Sequence, residues 1–224
     1  MISIYLETTP KRTFANALDW HGWSRSGRDE TAAIDALLAT APRYAQLLSA
    51  AGIPFSLPTG PGDITVVERV PGDSTTEFGA PNVPPSADAQ PLDESELSRL
   101  HALLNAYWAA LDAAIAAAQG KELRKGPRGG GRDLDKVVDH VNGANHAYIS
   151  MLAFQWDKPK TDDPFAMLSA TRDAVAAALT AAAHGETPTQ RPRGGAIWSP
   201  RYFVRRTGWH IVDHAWEIED RIII

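Results

Sequence analysis

The segment from Ser199 to Ile224 constrains the fold more than any other stretch of this sequence. It opens with Ser199 and Pro200, and serine is a favoured N-cap while proline suits the first helical position. The residues that follow predict a single helix of roughly six turns. We therefore expect this helix to be the element around which the functional residues are arranged.

One face of this predicted helix carries five charged or imidazole side chains. They are spaced at three and four residues along the chain: Arg206, His210, His214, Glu217 and Arg221. Residues four apart leave a helix on the same side, so the imidazoles of His210 and His214 point in one direction. Two neutral imidazoles in this arrangement can hold one Zn, Ni, Cu or Fe ion. A stable site needs a third ligand from elsewhere in the chain.

We expect His140 to be that third ligand. It lies in a predicted helix that runs from about Asp133 to Phe154, close to the apolar side defined by its valines. His146 is six residues further on and about 240° around the helix, so His140 and His146 cannot easily bind one metal. Helix bundles commonly build metal sites from side chains on facing helices. The sequence therefore predicts a metal site formed by His140, His210 and His214.

The first 70 residues differ from the rest in pattern. Short β-rich runs at Met1–Leu6, Thr13–Leu18 and Ile64–Val70 predict strands, and Glu30–Ala51 has a helical apolar stripe. Pro42 falls inside that stripe and is expected to kink or split the helix. The order β-β-α-β predicts a small α+β unit over residues 1–70.

The remainder of the chain is predicted to be helical. Residues 71–91 hold five prolines and two glycines, which indicates a linker or an extended covering strap. Residues 92–224 then contain four helical patterns of about twenty residues, each separated by a loop. We therefore predict an all-α four-helix bundle over residues 92–224.

Composition excludes several classes of function. An apolar content of 44% and a charged content of 22% are ordinary for a soluble globular protein. The net charge is −5, whereas general nucleic-acid binders carry an excess of basic residues. The chain has no cysteine, which excludes disulfides, thiolate ligands and a protein thiol nucleophile. No signal-peptide core and no apolar run of about 18 residues stands out, so we expect a cytoplasmic protein without a membrane partner.

The histidine contexts resemble the DinB-like superfamily, which includes the mycothiol-dependent maleylpyruvate isomerases. His140 stands in LDKVVDHVNGANHAYI, and His210 and His214 stand in RRTGWHIVDHAWEIEDR. The resemblance covers about residues 93–224. It implies a four-helix bundle with one metal-ligating histidine in the second helix and a pair in the last. Asn145 departs from the pattern, since many relatives have an acidic residue there.

A second, weaker resemblance concerns the N-terminal segment, which is not part of the DinB-like pattern. Phe14–Trp20, Gly22, Gly27 and the helix from Glu30 resemble the HicB-like fold in the order strand, glycine turn, helix. This resemblance covers about 40 residues. It implies a fold and not an antitoxin role.

The DinB-like resemblance implies a metal-dependent enzyme. The expected cofactor is a divalent metal, with Zn or Ni favoured, together with a low-molecular-weight thiol such as mycothiol. Three histidines leave an open coordination position, which is typical of catalytic metals that activate water or a thiol. Because the chain lacks cysteine, any thiol must be a diffusible molecule. We expect transfer, isomerisation or hydrolysis of a small-molecule substrate.

Other charged residues near the predicted site have two interpretations each. Glu217 is expected to support a histidine or pair with Arg221 in preference to binding metal. Arg206 either steers an anionic substrate or lies on a solvated face. Arg128 and Arg132, in the basic loop Lys121–Arg132, either hold an anionic cofactor group or belong to a flexible loop.

A non-catalytic function is the alternative hypothesis. In this case the protein is a binding or interaction module whose metal is structural or absent. The N-terminal strands then offer sheet edges for a protein partner or for a homodimer. Convergence of the three histidines at a site that solvent can reach would favour the enzyme.

Overall fold

The computed structural model describes residues 1–125, 131–192 and 194–223. These residues form one four-stranded mixed sheet, seven α-helices and two short 3₁₀ turns, which makes an α+β protein. The strands are β1 Ile2–Thr8, β2 Thr13–Ala17, β3 Ser24–Gly27 and β4 Ile64–Pro71. The helices are α1 Glu30–Ala39, α2 Ala41–Ala50, α3 Ser74–Phe78, α4 Glu94–Ala118, α5 Leu134–Met151, α6 Pro164–Ala183 and α7 Pro200–Arg221.

The predicted fold class, a β-β-α-β unit followed by an all-α four-helix bundle of DinB-like type, is wrong. The β-β-α-β order is present, but a further strand, β3, and a second helix, α2, accompany it. The helical part shows at most four long helices, α4 to α7, and α7 is divided between the two compact units of the chain. Residues 204–209 of α7 belong to the compact unit that contains the sheet. Helical periodicity locates a helix but does not reveal which part of the protein covers each face.

The chain divides into two compact units. The first contains residues 1–90 and 204–209, and the second contains residues 91–203 and those from 210 onward. In the first unit the strand order is β3-β2-β1-β4. Strand β1 pairs antiparallel with β2 and parallel with β4. The mixed sheet follows from this central position of β1, since a helical connection precedes its parallel neighbour.

The helix predicted over Glu30–Ala51 is split at Thr40. Pro42 occupies the first turn of α2, where its missing N–H is not needed for helical hydrogen bonding. Tyr44 of α2 then stacks on Trp23 with ring centroids 5.0 Å apart, and the Phe55 ring lies edge-on to both. The kink thus directs α2 into an aromatic core.

Arg205 explains why part of α7 belongs to the first unit. Its guanidinium is buried and donates to the Asp88 carboxylate through Nε at 2.8 Å and Nη2 at 2.7 Å. It also donates to the backbone carbonyls of Ala17 at 2.6 Å and Leu18 at 3.1 Å. A buried ion pair is tolerated when further hydrogen bonds satisfy its polar atoms, as here.

Two carboxylates on strands of the sheet form hydrogen bonds with the segment 71–91. The buried Glu7 carboxylate accepts hydrogen bonds from the Thr76 hydroxyl and from the backbone N–H of Asn82. The carboxylate of Glu68 on β4 accepts from the N–H and hydroxyl of Ser86, both at 2.9 Å. Burial raises the pKa of Glu7, and the bonds from Thr76 and Asn82 partly oppose this effect.

In the second unit, three polar contacts fix α4 and α6 as an antiparallel pair. Their partners run in opposite directions along the two helices: Glu94 with His184, His101 with Thr180, and Asp112 with Arg172. Helix α5 also packs against α6, and the Asn142 amide donates to the Pro164 carbonyl at 2.8 Å. Asn145 is fully buried and donates to the Val141 carbonyl on its own helix.

Helix α4 is the one helix among the described residues that is long and apolar enough to cross a membrane. Half of its most apolar window is buried inside the protein, as expected of a core helix in a soluble protein. The structure thus supports a soluble protein. The cytoplasmic location stays a prediction.

We predict that Gly22→Ala destabilises the first unit. Gly22 has a φ of +101°, and an added Cβ would lie 2.8 Å from the Gly208 carbonyl carbon and 2.9 Å from the Trp209 nitrogen. Backbone strain and steric overlap together should lower the free energy of unfolding by about 3 kcal/mol, as measured by urea denaturation.

Gly52→Ala is the matched control, because Gly52 has a φ of +70° but no atom within 4 Å of the added Cβ. It should cost only about 1 kcal/mol, the strain of a left-handed residue alone. Equal losses for the two variants would show that the close approach of Gly22 to α7 does not matter.

Candidate metal centre

The structure brings together the three histidines that were predicted to bind metal. Nε2 of His210 lies 3.2 Å from Nε2 of His140 on α5 and 3.2 Å from Nε2 of His214. The three potential ligand atoms all lie within 4.8 Å of one another. Side chains from two helices thus converge on one point within the second unit.

These separations fit a metal ion of ordinary size. In a tetrahedral zinc site with Zn–N bonds of 2.0–2.1 Å, neighbouring nitrogens lie about 3.3–3.4 Å apart. The two measured separations of 3.2 Å are close to that value. The ring planes are inclined to one another by 53° to 83°, so the imidazoles meet through their edges and do not stack. The geometry and the all-nitrogen donor set suit Zn²⁺ or Ni²⁺.

Glu217 sets the proton position on His214. Nδ1 of His214 lies 2.7 Å from Oε2 of Glu217, so this nitrogen donates its proton to the carboxylate. In the neutral ring, Nε2 then carries the lone pair and is free to bind a metal. The hydrogen bond from His214, assisted by Arg221, lowers the pKa of Glu217 to about 2. The carboxylate therefore stays ionised across the physiological range.

Arg221 holds Glu217 in place. Its Nη1 donates to the second carboxylate oxygen of Glu217 at 2.6 Å. Its Nε and Nη2 donate to the backbone carbonyls of Arg124 at 2.9 Å and Arg132 at 2.8 Å. Both Glu217 oxygens are thus engaged, which agrees with a supporting position beside His214. Sequence reasoning missed the two carbonyl acceptors, because backbone groups carry no residue-type signal.

His140 differs from its two partners in exposure. It is partly exposed, whereas His210 and His214 are buried, so the cluster reaches solvent through His140. Burial lowers the pKa of His140, and the neighbouring His214 and Arg132 lower it further. A lowered pKa favours the neutral imidazole, which is the form that binds metals.

The three arginines named from the sequence, Arg206, Arg128 and Arg132, differ in what the structure shows of them. Arg206 is buried and its guanidinium lies 4.7 Å above the Trp209 ring, so the solvated-face interpretation does not hold. Arg132 is exposed, and its backbone carbonyl contacts Arg221. Arg128 lies outside the described residues. An anionic cofactor bound by Arg128 and Arg132 stays a prediction.

Tyr148 is a further neighbour of the cluster. Its ring lies edge-on to His210, with centroids 5.8 Å apart, and Trp198 lies 5.3 Å beyond it. Sequence reasoning did not place Tyr148 beside the histidines. Its position two turns after His140 on the same helix was the available signal for a place beside the site.

We predict that metal-free His214 carries its proton on Nδ1. Long-range ¹H–¹⁵N correlation spectra distinguish this tautomer from the Nε2–H form. Glu217→Ala removes the acceptor, so the His214 signals should shift towards the Nε2–H tautomer. In Glu219→Ala, a matched change at an exposed position of α7, the Nδ1–H form should persist. An Nε2–H tautomer in the unmodified protein would contradict this assignment.

The chain matches no family model, no curated protein and no solved structure. The DinB-like and HicB-like resemblances therefore stay predictions from the sequence. The positions of His140, His210 and His214 and the contacts of Glu217 are the features that suit a metal ion.

Proposed function

We propose that this chain is a divalent-metal-dependent enzyme in which His140, His210 and His214 bind Zn²⁺ or Ni²⁺ through Nε2. The observation that carries the proposal is the convergence of these three nitrogens within 4.8 Å. Three nitrogen ligands leave at least one coordination position for water or substrate, as in catalytic zinc sites. The partial exposure of His140 supports access from solvent over a sealed structural site.

The metal would act as a Lewis acid and would lower the pKa of a bound water or thiol to near neutrality. The protein supplies the donor geometry and the proton positions. Glu217 keeps the His214 proton on Nδ1, and Arg221 fixes the Glu217 carboxylate through two backbone carbonyls. This support keeps His214 oriented towards its partners before any ligand binds.

The proposed reaction is transfer, isomerisation or hydrolysis of a small molecule, with water or a low-molecular-weight thiol as the activated group. The proposal of a thiol rests on the resemblance of the histidine contexts to the DinB-like superfamily, in which some members use mycothiol. Since the chain has no cysteine, a thiolate in the site would have to come from solution. The same fact makes the thiol hypothesis easy to test, because the protein gives no thiol background.

We predict that untagged protein binds one equivalent of Zn²⁺ or Ni²⁺ and that His140→Ala binds less than a tenth of that. Loss of one of three ligands removes a large part of the binding free energy. Native mass spectrometry and elemental analysis provide the measurement. His146→Ala is the matched control, since His146 lies on the same helix but is exposed and contacts Trp156. Unchanged stoichiometry in His140→Ala would remove the proposal.

A second prediction concerns whether the bound metal has a coordination position that a ligand from solution can occupy. The Co²⁺-loaded protein should develop a thiolate-to-metal charge-transfer band when a small thiol such as 2-mercaptoethanol is added. His146→Ala should retain this band, whereas His140→Ala should lack it. A Co²⁺ spectrum that thiol leaves unchanged would reject the thiol branch, and a spectrum insensitive to every added ligand would favour a structural metal.

A further inference from the structure

The last turn of α7 is tied to the loop that follows α4 by a short antiparallel bridge. Leu123 and Ile222 are the partners in this bridge, and Leu123 is buried. Next to it, the backbone N–H of Arg124 donates to the Arg221 carbonyl at 2.7 Å. Arg221 is therefore held at its backbone as well as through its side chain, one helical turn beyond Glu217.

The Arg221 guanidinium lies among three acceptors. Its Nη1 donates to Glu217 at 2.6 Å. Its Nε donates to the Arg124 carbonyl at 2.9 Å, and its Nη2 donates to the Arg132 carbonyl at 2.8 Å. A guanidinium is planar and rigid, so a shift of one nitrogen moves the other two. A displaced Nη2 would therefore draw Nη1 away from Glu217.

Gly131 leaves the space that Nη2 of Arg221 occupies. A Cβ added at Gly131 would lie 2.6 Å from Nη2 and 3.3 Å from Cζ of Arg221. Such a Cβ and the guanidinium cannot both keep these positions, because the closer pair would overlap. Both atoms belong to the end of a flexible side chain, which can move while the backbone stays in place. We therefore expect a side chain at position 131 to displace Arg221 without unfolding the protein.

Displacement of Arg221 would release one side of the Glu217 carboxylate. In the structure Oε1 accepts from Arg221, and Oε2 accepts from Nδ1 of His214 at 2.7 Å. A carboxylate that is held at both oxygens is fixed in orientation, whereas one that is held at a single oxygen can rotate. Rotation would weaken the preference for the Nδ1–H tautomer, in which Nε2 presents a lone pair towards His210. The contact at Gly131 is thus linked to His214 through two side chains.

We infer that Gly131 is a positioning residue for the histidine cluster, because it leaves room for Arg221, which keeps Glu217 on the Nδ1 proton of His214. The consequence for metal binding rests on the proposed function, whereas the effect on the His214 proton does not require a metal. Gly131 is the last of three consecutive glycines, and the sequence pattern alone does not distinguish it from the other two.

Gly131→Ala tests the inference in the metal-free full chain. Long-range ¹H–¹⁵N correlation spectra should show a new population of the Nε2–H tautomer of His214, which the unmodified protein should lack. Gly120→Ala is the matched control and should keep the Nδ1–H form. Gly120 has a φ of +71° and Gly131 a φ of +145°, but no atom lies within 4 Å of a Cβ added at Gly120.

Two outcomes of this experiment would overturn the inference. One is an unchanged His214 tautomer in a folded Gly131→Ala protein. The other is a Gly131→Ala protein that circular dichroism shows to be unfolded, because the inference requires that the Arg221 side chain moves and the backbone does not.

Arg221→Ala separates the proposed contact from backbone strain at Gly131. Once the guanidinium is absent, adding Gly131→Ala should cause no further shift of the His214 signals, so the two changes should be non-additive. Strain at Gly131 that acts on the cluster by itself would instead add to the effect of Arg221→Ala. An additive double variant would therefore contradict the positioning role.

Titration with Zn²⁺ measures the consequence for the metal. Gly131→Ala should raise the dissociation constant about tenfold, since loss of the groups that orient a metal ligand commonly weakens binding by this much, and Gly120→Ala should stay within about twofold. Equal dissociation constants in the two variants would contradict the link from Gly131 to the metal. Absence of Zn²⁺ binding in the unmodified protein would instead contradict the proposed function, and the tautomer experiment would still decide the role of Gly131.

Discussion

The proposed metal centre requires three imidazole nitrogens that face one another, and these lie within 4.8 Å of one another in the structure. Neighbouring nitrogens at 3.2 Å can share a proton in pairs, but the proton of His214 is drawn to Glu217 on the far side of its ring. Nε2 of His214 therefore presents a lone pair towards the other two rings. A cation at the common point would satisfy all three nitrogens at once, whereas water would satisfy them only in part.

The surrounding contacts orient His214 within this arrangement. Glu217 is held by Arg221, and Arg221 is held by the carbonyls of Arg124 and Arg132. Hydrogen bonds between an ionised carboxylate and a guanidinium are among the stronger polar contacts, and they orient both groups. Preorganisation of this kind is what a metal site requires, because the ligands then lose little freedom on binding.

The sequence predicted which three histidines come together, but its prediction of the fold class was wrong. Helical spacing was enough to place His210 and His214 on one face. The apolar neighbours of His140 indicated that its side chain lies near the buried side of its helix, where it can meet another helix. The prediction of the fold class was wrong because the sequence pattern of α7 does not show that Arg205 binds Asp88 and the carbonyls of Ala17 and Leu18. These acceptors lie more than a hundred residues away in sequence, and two of them are backbone groups without a residue-type signature. The role of the Arg132 carbonyl was hidden for the same reason.

X-ray absorption spectroscopy of the Zn²⁺-loaded full chain would identify the ligands of the metal. We expect three imidazole nitrogens at about 2.0–2.1 Å and at least one further oxygen or nitrogen donor that an added ligand can replace. A zinc shell with fewer than three imidazoles would contradict this expectation. So would a shell in which Glu217 replaces one of the histidines.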